Sequence, residues 1–129
     1  MAEKKIGSKT YRCEKLPASE SFSLLLRLGQ QLGPGLGKLA EVVGSGASET
    51  AALAVVGDVL AATDPAKTTA LLSELIGHAE VAVNGRYEAC VLDHHFDGDL
   101  IGAFSVAVFV VKANYQDFFG ELPRLKSLS

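Results

Sequence analysis

The densest run of chemically capable side chains is Asp93-His94-His95-Phe96-Asp97-Gly98-Asp99. Imidazoles and carboxylates ligate zinc or iron, so this run is the first candidate for metal-dependent chemistry. Its spacing argues against that role. Adjacent side chains on a regular element point apart, and no two histidines stand four apart as they would on one helical face. A cap explains the acids more simply. Asp97 or Asp99, placed before the next helix, would accept from its free N–H groups and favour its positive end. We expect no metal and no cofactor.

Two other arrangements invite a chemical reading. Gly33-Pro34-Gly35-Leu36-Gly37-Lys38-Leu39 superficially resembles a phosphate loop, but its spacing is wrong and Leu39 stands where a hydroxyl should meet magnesium. A helix–helix turn fits it better. For nucleophilic catalysis the chain offers Cys13 and Cys90 with His78, His94 and His95, and it has no Gly-x-Ser-x-Gly elbow. Buried cysteines usually behave as small hydrophobes. No enzyme is expected.

The elements that must position these residues are legible from the pattern. Residues 1–16 read as a hairpin around Gly7-Ser8, with Ile6, Tyr11 and Cys13 as apolar positions. A helix follows, with Ser19 as N-cap and Phe22, Leu25, Leu26, Leu28 and Leu32 at near-helical spacing, stopped by Gly33-Pro34-Gly35. A short helix from about Leu36 to Val43 and a second from near Ser48, through Leu53, Val56, Val59 and Leu60, fill the Gly/Ala-rich middle. Asp64-Pro65 marks the sharpest boundary, an N-cap followed by proline at the first helical position. That helix carries Leu71, Leu72, Leu75 and Ile76 and stops at Gly77.

Asn84-Gly85 then sits between two strand-like runs, the strongest short-range hairpin signal, although the preceding helix could extend a residue or two into this segment. Residues 93–99 read as a polar connector. The last element starts at Leu100 and is apolar on nearly every side to Val111, running on to about Tyr115. Such a helix is buried all round, or shared between its own domain and a partner. Phe118, Phe119 and Leu122 continue the apolar surface before Pro123 and a polar tail. The expectation is a single domain over 1–129, α+β and dominated by helices. It divides into a hairpin at 1–16, helices over 18–78, a hairpin at 79–92 and an apolar helix with an aromatic end at 97–122. A small sheet from the N-terminal and central hairpins packs on a bundle of about four to five helices.

Composition narrows the function classes. Of 129 residues, 48% are hydrophobic and 21% charged, enough apolar material for a core and too much for a disordered tail. The formal net charge of −3 and scattered basic residues argue against nucleic acid, whose binders carry a basic stripe. The longest apolar run, 100–111, falls short of the roughly 18 residues of a membrane span. No signal-peptide core follows the first residues, so a cytosolic protein with reduced thiols is expected.

Aromatic residues concentrate at the C-terminal end, and there the sequence resembles a known family. His95-Phe96-Asp97-Gly98-Asp99-Leu100, an aliphatic run, then Lys112-Ala113-Asn114-Tyr115-Gln116-Asp117-Phe118-Phe119 is similar to the C-terminal signature of tail assembly chaperones of long-tailed phages, prophages and phage-like particles. The short N-terminal hairpin and the following Phe22-Ser23-Leu24-Leu25-Leu26-Arg27-Leu28 also fit. The Gly/Ala-rich residues 29–62 match nothing in the family. The resemblance implies a non-enzymatic chaperone that coats the aggregation-prone tape-measure protein. It also implies self-association, with the tail-tube protein as a further partner, and work in the bacterial cytoplasm followed by absence from the finished particle. On that reading Phe96, Phe104, Phe109, Tyr115, Phe118 and Phe119 are partly core and partly client or self-association surface. The rival readings are a structural or tail-completion component of the same particle, and a small metal-dependent enzyme on Asp93, His94, His95, Asp97 and Asp99.

Overall fold

The computed structural model describes the backbone of residues 1–44 and 48–128. The side chains at 43, 49, 52, 53, 56 and 122–128 are outside the described set, which removes the expected core positions Leu53 and Val56 and the terminal Leu122 from view. The break expected at Gly44-Ser45-Gly46 also falls largely outside the described residues.

Ten elements follow in order: β1 (Ala2–Ile6), β2 (Lys9–Cys13), α1 (Ala18–Leu32), α2 (Gly35–Gly44), α3 (Glu49–Ala61), α4 (Pro65–Gly77), β3 (Ala79–Val83), β4 (Arg86–Ala89), α5 (Leu92–His95) and α6 (Leu100–Leu128). The α+β reading holds, and both hairpins form. Asn84 and Gly85 take φ of 51° and 81°, the two positive values that a tight two-residue turn demands. The hairpins join edge to edge as one antiparallel sheet in the order β1-β2-β3-β4. Across the central seam Tyr11 pairs with Val81 and Cys13 with Ala79.

Alternation divides the sheet into two faces. Tyr11, Cys13, Ala79 and Val81 are buried on the face toward the helices. On the other face Arg12 bonds Glu80 at 2.8 Å and lies 3.9 Å from the centre of the Tyr87 ring. Ala79 has Cys13 on one side and accepts the Cys90 N–H on the other. The two cysteines are thus two strand spacings apart, about 10 Å, beyond the roughly 7 Å reach of a disulfide. Both are free and buried.

α6 is the centre of the core. Ala103 and every residue from Ser105 to Val111 are buried, with α2, α3, α4 and the sheet packed around it. The fold itself therefore covers the helix with no polar face, along that stretch. Phe96 stacks on Tyr11 at a centroid distance of 6.2 Å and is 2% exposed, a burial worth about 1.5–3 kcal/mol.

Side-chain caps explain the starts of α3, α4 and α6. Asp64 accepts from the Lys67 N–H, Ser48 from the Ala51 N–H, and Asp99 from the Gly102 N–H at 3.0 Å, the last being the cap expected of Asp97 or Asp99. Three readings need correction. Ser19 is not the N-cap of α1: the helix begins two residues earlier than that cap implies, at Ala18 after Pro17, with no side-chain cap. Residues 93–95 of the expected connector wind with Leu92 into α5, where the Val91 carbonyl accepts the His94 and His95 N–H groups and the His95 ring accepts the Val91 N–H. α6 does not end at Tyr115 but continues through Pro123 to Leu128.

Candidate functional site: an apolar cleft between the first and last helices

α1 carries two apolar stripes. Leu24, Leu28 and Leu32, four apart, are buried against the core. Phe22 and Leu26, also four apart, point outward and are 62% and 67% exposed. Facing them, the last turns of the described part of α6 present Phe118, 39% exposed, leaning on the buried Phe119 with ring centres 5.7 Å apart. Leu36, Gly37 and Ala40 of α2 form the floor with Gly29 and Gly33. With Leu26, Phe118 and Phe119 they line an open cleft of ≈ 670 Å³, and a second hollow of ≈ 250 Å³ continues it past Phe22, Leu25, Asn114 and Phe118.

The walls are fixed by polar bonds. The Leu16 N–H donates to Asn114 Oδ1 at 2.9 Å, and the Tyr115 hydroxyl donates to the Ser21 carbonyl at 2.8 Å. Burial raises the Tyr115 hydroxyl above its ordinary value, so it remains a donor at neutral pH. On its other flank α1 is tied to α4 by the Arg27–Glu74 ion pair and by Gln31 donating to Thr68 at 3.2 Å.

The six aromatic residues expected to share a face are distributed differently. Phe96 lies against the sheet, Phe109 within the core stretch of α6, and Tyr115 and Phe119 are buried near the C-terminal end. Phe104 is half-buried against the core, and Phe118 alone of the six is exposed. Phe22 and Leu26 join Phe118 at the cleft. From sequence they read as part of the same core-facing set as Leu28 and Leu32. The signal that separates them is excess: Phe22, Leu24, Leu25, Leu26 and Leu28 exceed what one buried stripe can hold.

The histidine region brings together a different set from the one suspected. Glu88, His94 and His95 converge with candidate ligand atoms within 4.8 Å, while Asp99 is engaged as the α6 cap. His95 Nδ1 accepts the Val91 N–H at 2.9 Å. A neutral imidazole has one N–H, so the proton sits on Nε2, 3.3 Å from a Glu88 oxygen. That nitrogen then has no lone pair for a metal.

Elsewhere, a void of ≈ 40 Å³ among Leu28, Leu39, Leu72, Ala107 and Val111 is lined almost wholly by aliphatics, too small to hold a substrate and too apolar to hold an ordered water. Burial pushes the Cys13 thiol up, and burial together with Glu80 pushes Cys90 up to about 12, the opposite of an activated nucleophile. What this arrangement can do is bury apolar side chains of another molecule, the capability of a binding protein.

Comparison with known families agrees in class. The chain matches the family described as phage tail assembly chaperone protein, TAC, over residues 7–126, and it belongs to that family of non-enzymatic chaperones. The match includes the Gly/Ala-rich segment that the C-terminal motif alone left unassigned. Neither the curated proteins nor the solved structures gave a match. No helix among the described residues is long and apolar enough to cross a membrane.

Proposed function

We propose that the chain binds and solubilises the tape-measure protein during tail assembly, taking amphipathic helices of that client into the cleft between α1, α2 and α6. One observation carries the reading: in a member of this chaperone family, Leu26 and Phe118 stand exposed at an apolar cleft, and Phe22 stands exposed at the hollow that adjoins it through Leu25 and Phe118. Isolated surface hydrophobes are ordinary, but a contiguous set rimmed by polar residues marks a binding surface.

The exposed area argues for the form of the occupant. The exposures of Phe22, Leu26 and Phe118 leave on the order of 300 Å² of apolar surface uncovered. A stable pair of globular partners buries about 800 Å² on each side. A single helix anchored through residues spaced three and four apart needs less. Many weak sites of this kind, repeated along a long helical client, would coat it without locking it. The tail-tube protein and further copies of this chain are the additional partners of the proposal, and the setting is the bacterial cytoplasm before the particle is complete.

The test is co-expression with the tape-measure protein of the same tail. A soluble complex that co-elutes on sizing is the expected result. Client precipitating while this chain stays alone in solution would refute it. Mass spectrometry of purified particles distinguishes the chaperone, which is absent from them, from a structural component, which persists.

A further inference from the structure

We propose that Asn114 and Tyr115 are positioning residues for the cleft, setting how far α1 stands from α6. The proposal rests on the client reading above for its purpose, though not for its geometry. α1 enters without a side-chain cap at Pro17, so its start is not fixed locally. It is fixed from α6 instead. Asn114 Oδ1 accepts the Leu16 N–H at 2.9 Å while its Nδ2 donates to the Val110 carbonyl at 3.0 Å. Both bonds are satisfied in one orientation of the amide only, so the side chain is a fixed spacer.

The next residue, Tyr115, reaches the Ser21 carbonyl at 2.8 Å. Consecutive residues on a helix diverge by about 100°, so the pair grips two separate points, one before α1 and one in its first turns. Both points lie beside the cleft. Ser21 is followed by Phe22, and Phe118 is one turn beyond Asn114 and Tyr115 on the same side of α6. All five residues line the hollow that extends the cleft. The bonds are made to backbone groups, so they constrain where α1 runs whatever side chains it presents.

The test uses the full chain with spin labels at exposed Ser23 and Gln116, the buried native thiols being left in place. Tyr115→Phe retains the ring and removes the bond. Asn114→Ala combined with it removes both. The expected result is a broadened α1–α6 distance distribution in the free double variant, with co-purification of the tape-measure protein falling about tenfold and circular dichroism unchanged. Tyr115→Phe alone should give a smaller change in the same direction. An unchanged distance distribution overturns the positioning role whatever happens to the client. A broadened distribution with undiminished binding shows that the spacing does not serve the cleft, and overturns it too. A wild-type chain that never binds the client refutes the function proposed above, and the free-protein distances then still decide the geometric claim.

Discussion

The Tyr115 hydroxyl donates to the carbonyl of Ser21, joining α6 to the start of α1 across 94 positions of sequence. The contact explains why an aromatic residue that looks like a surface anchor is buried. Its ring packs on Phe119 with centres 5.7 Å apart, and its polar tip finds a partner that an interface could not guarantee.

Tyr115→Phe is expected to lower unfolding free energy by about 1 kcal/mol, the net worth of one intramolecular hydrogen bond. Urea denaturation followed by circular dichroism checks it. A loss above about 3 kcal/mol would mean that the ring itself has moved, since removing the hydroxyl alone cannot cost so much.

Phe119→Asp and Phe22→Asp should behave oppositely, although both replace an aromatic beside the cleft. Phe119 is 4% exposed, so an aspartate there buries an unpaired carboxylate and should unfold the C-terminal part of the core. Phe22 is mostly in solvent, and its replacement should change stability by no more than about 0.5 kcal/mol. Thermal melts of the two variants test the pair. Equal melting points would contradict the division of these aromatics into core and cleft.

At the start of α6, a Cβ at Gly102 would run into the Asp99 carboxylate that caps the helix. Alanine is normally worth about 0.8–1.0 kcal/mol over glycine within a helix. Gly102→Ala is expected to gain none of this, because it displaces a cap worth about 1 kcal/mol. In the Asp99→Ala background, where the cap is already gone, the same change should stabilise. A double-mutant cycle measures that coupling.

The raised thiol values give a pH dependence with a definite sign. In the unfolded chain Cys90 loses its proton near the ordinary value of 9.0, whereas in the folded protein it holds the proton to about 12. The native state therefore binds more protons than the unfolded state between these limits, so stability present below pH 9 should fall as pH rises through that window. Cys13 shifts in the same direction through burial. Cys90→Ala should flatten the alkaline side of the stability profile. An unaltered profile would show that the Cys90 thiol is not the group responsible.

Much of this fold was legible from local chemistry. Asn84-Gly85 allows one kind of turn, Asp64-Pro65 starts a helix, and the unbroken apolar run after Leu100 demands cover on all sides. That the two hairpins share one small sheet was expected, but the register of their seam, Tyr11 opposite Val81, was not specified by local pattern, because strand pairing depends on contacts distant in sequence. The candidate site was harder to read for a similar reason. Phe118 and Phe119 have the same side chain, and their roles separate only because a helix turns about 100° between them. Likewise Leu26 and Leu28 differ only in which stripe of α1 they join. The converging residue Glu88 was invisible beside His94 and His95 because it comes from the neighbouring strand.

The central claim is that the cleft, rather than apolar surface in general, holds the client. A second exposed apolar group among the described residues of α6, Leu100 and Ile101 at 71% and 72% exposure, offers an internal control. It lies about 27 Å along the helix from Phe118. Wild type, Phe22→Glu/Leu26→Glu and Leu100→Glu/Ile101→Glu would each be co-expressed with the tape-measure protein, and the soluble client measured. The account predicts that the first pair of substitutions abolishes solubilisation while the second leaves it at the wild-type level. Equal losses in both, or a loss confined to the second, would contradict it.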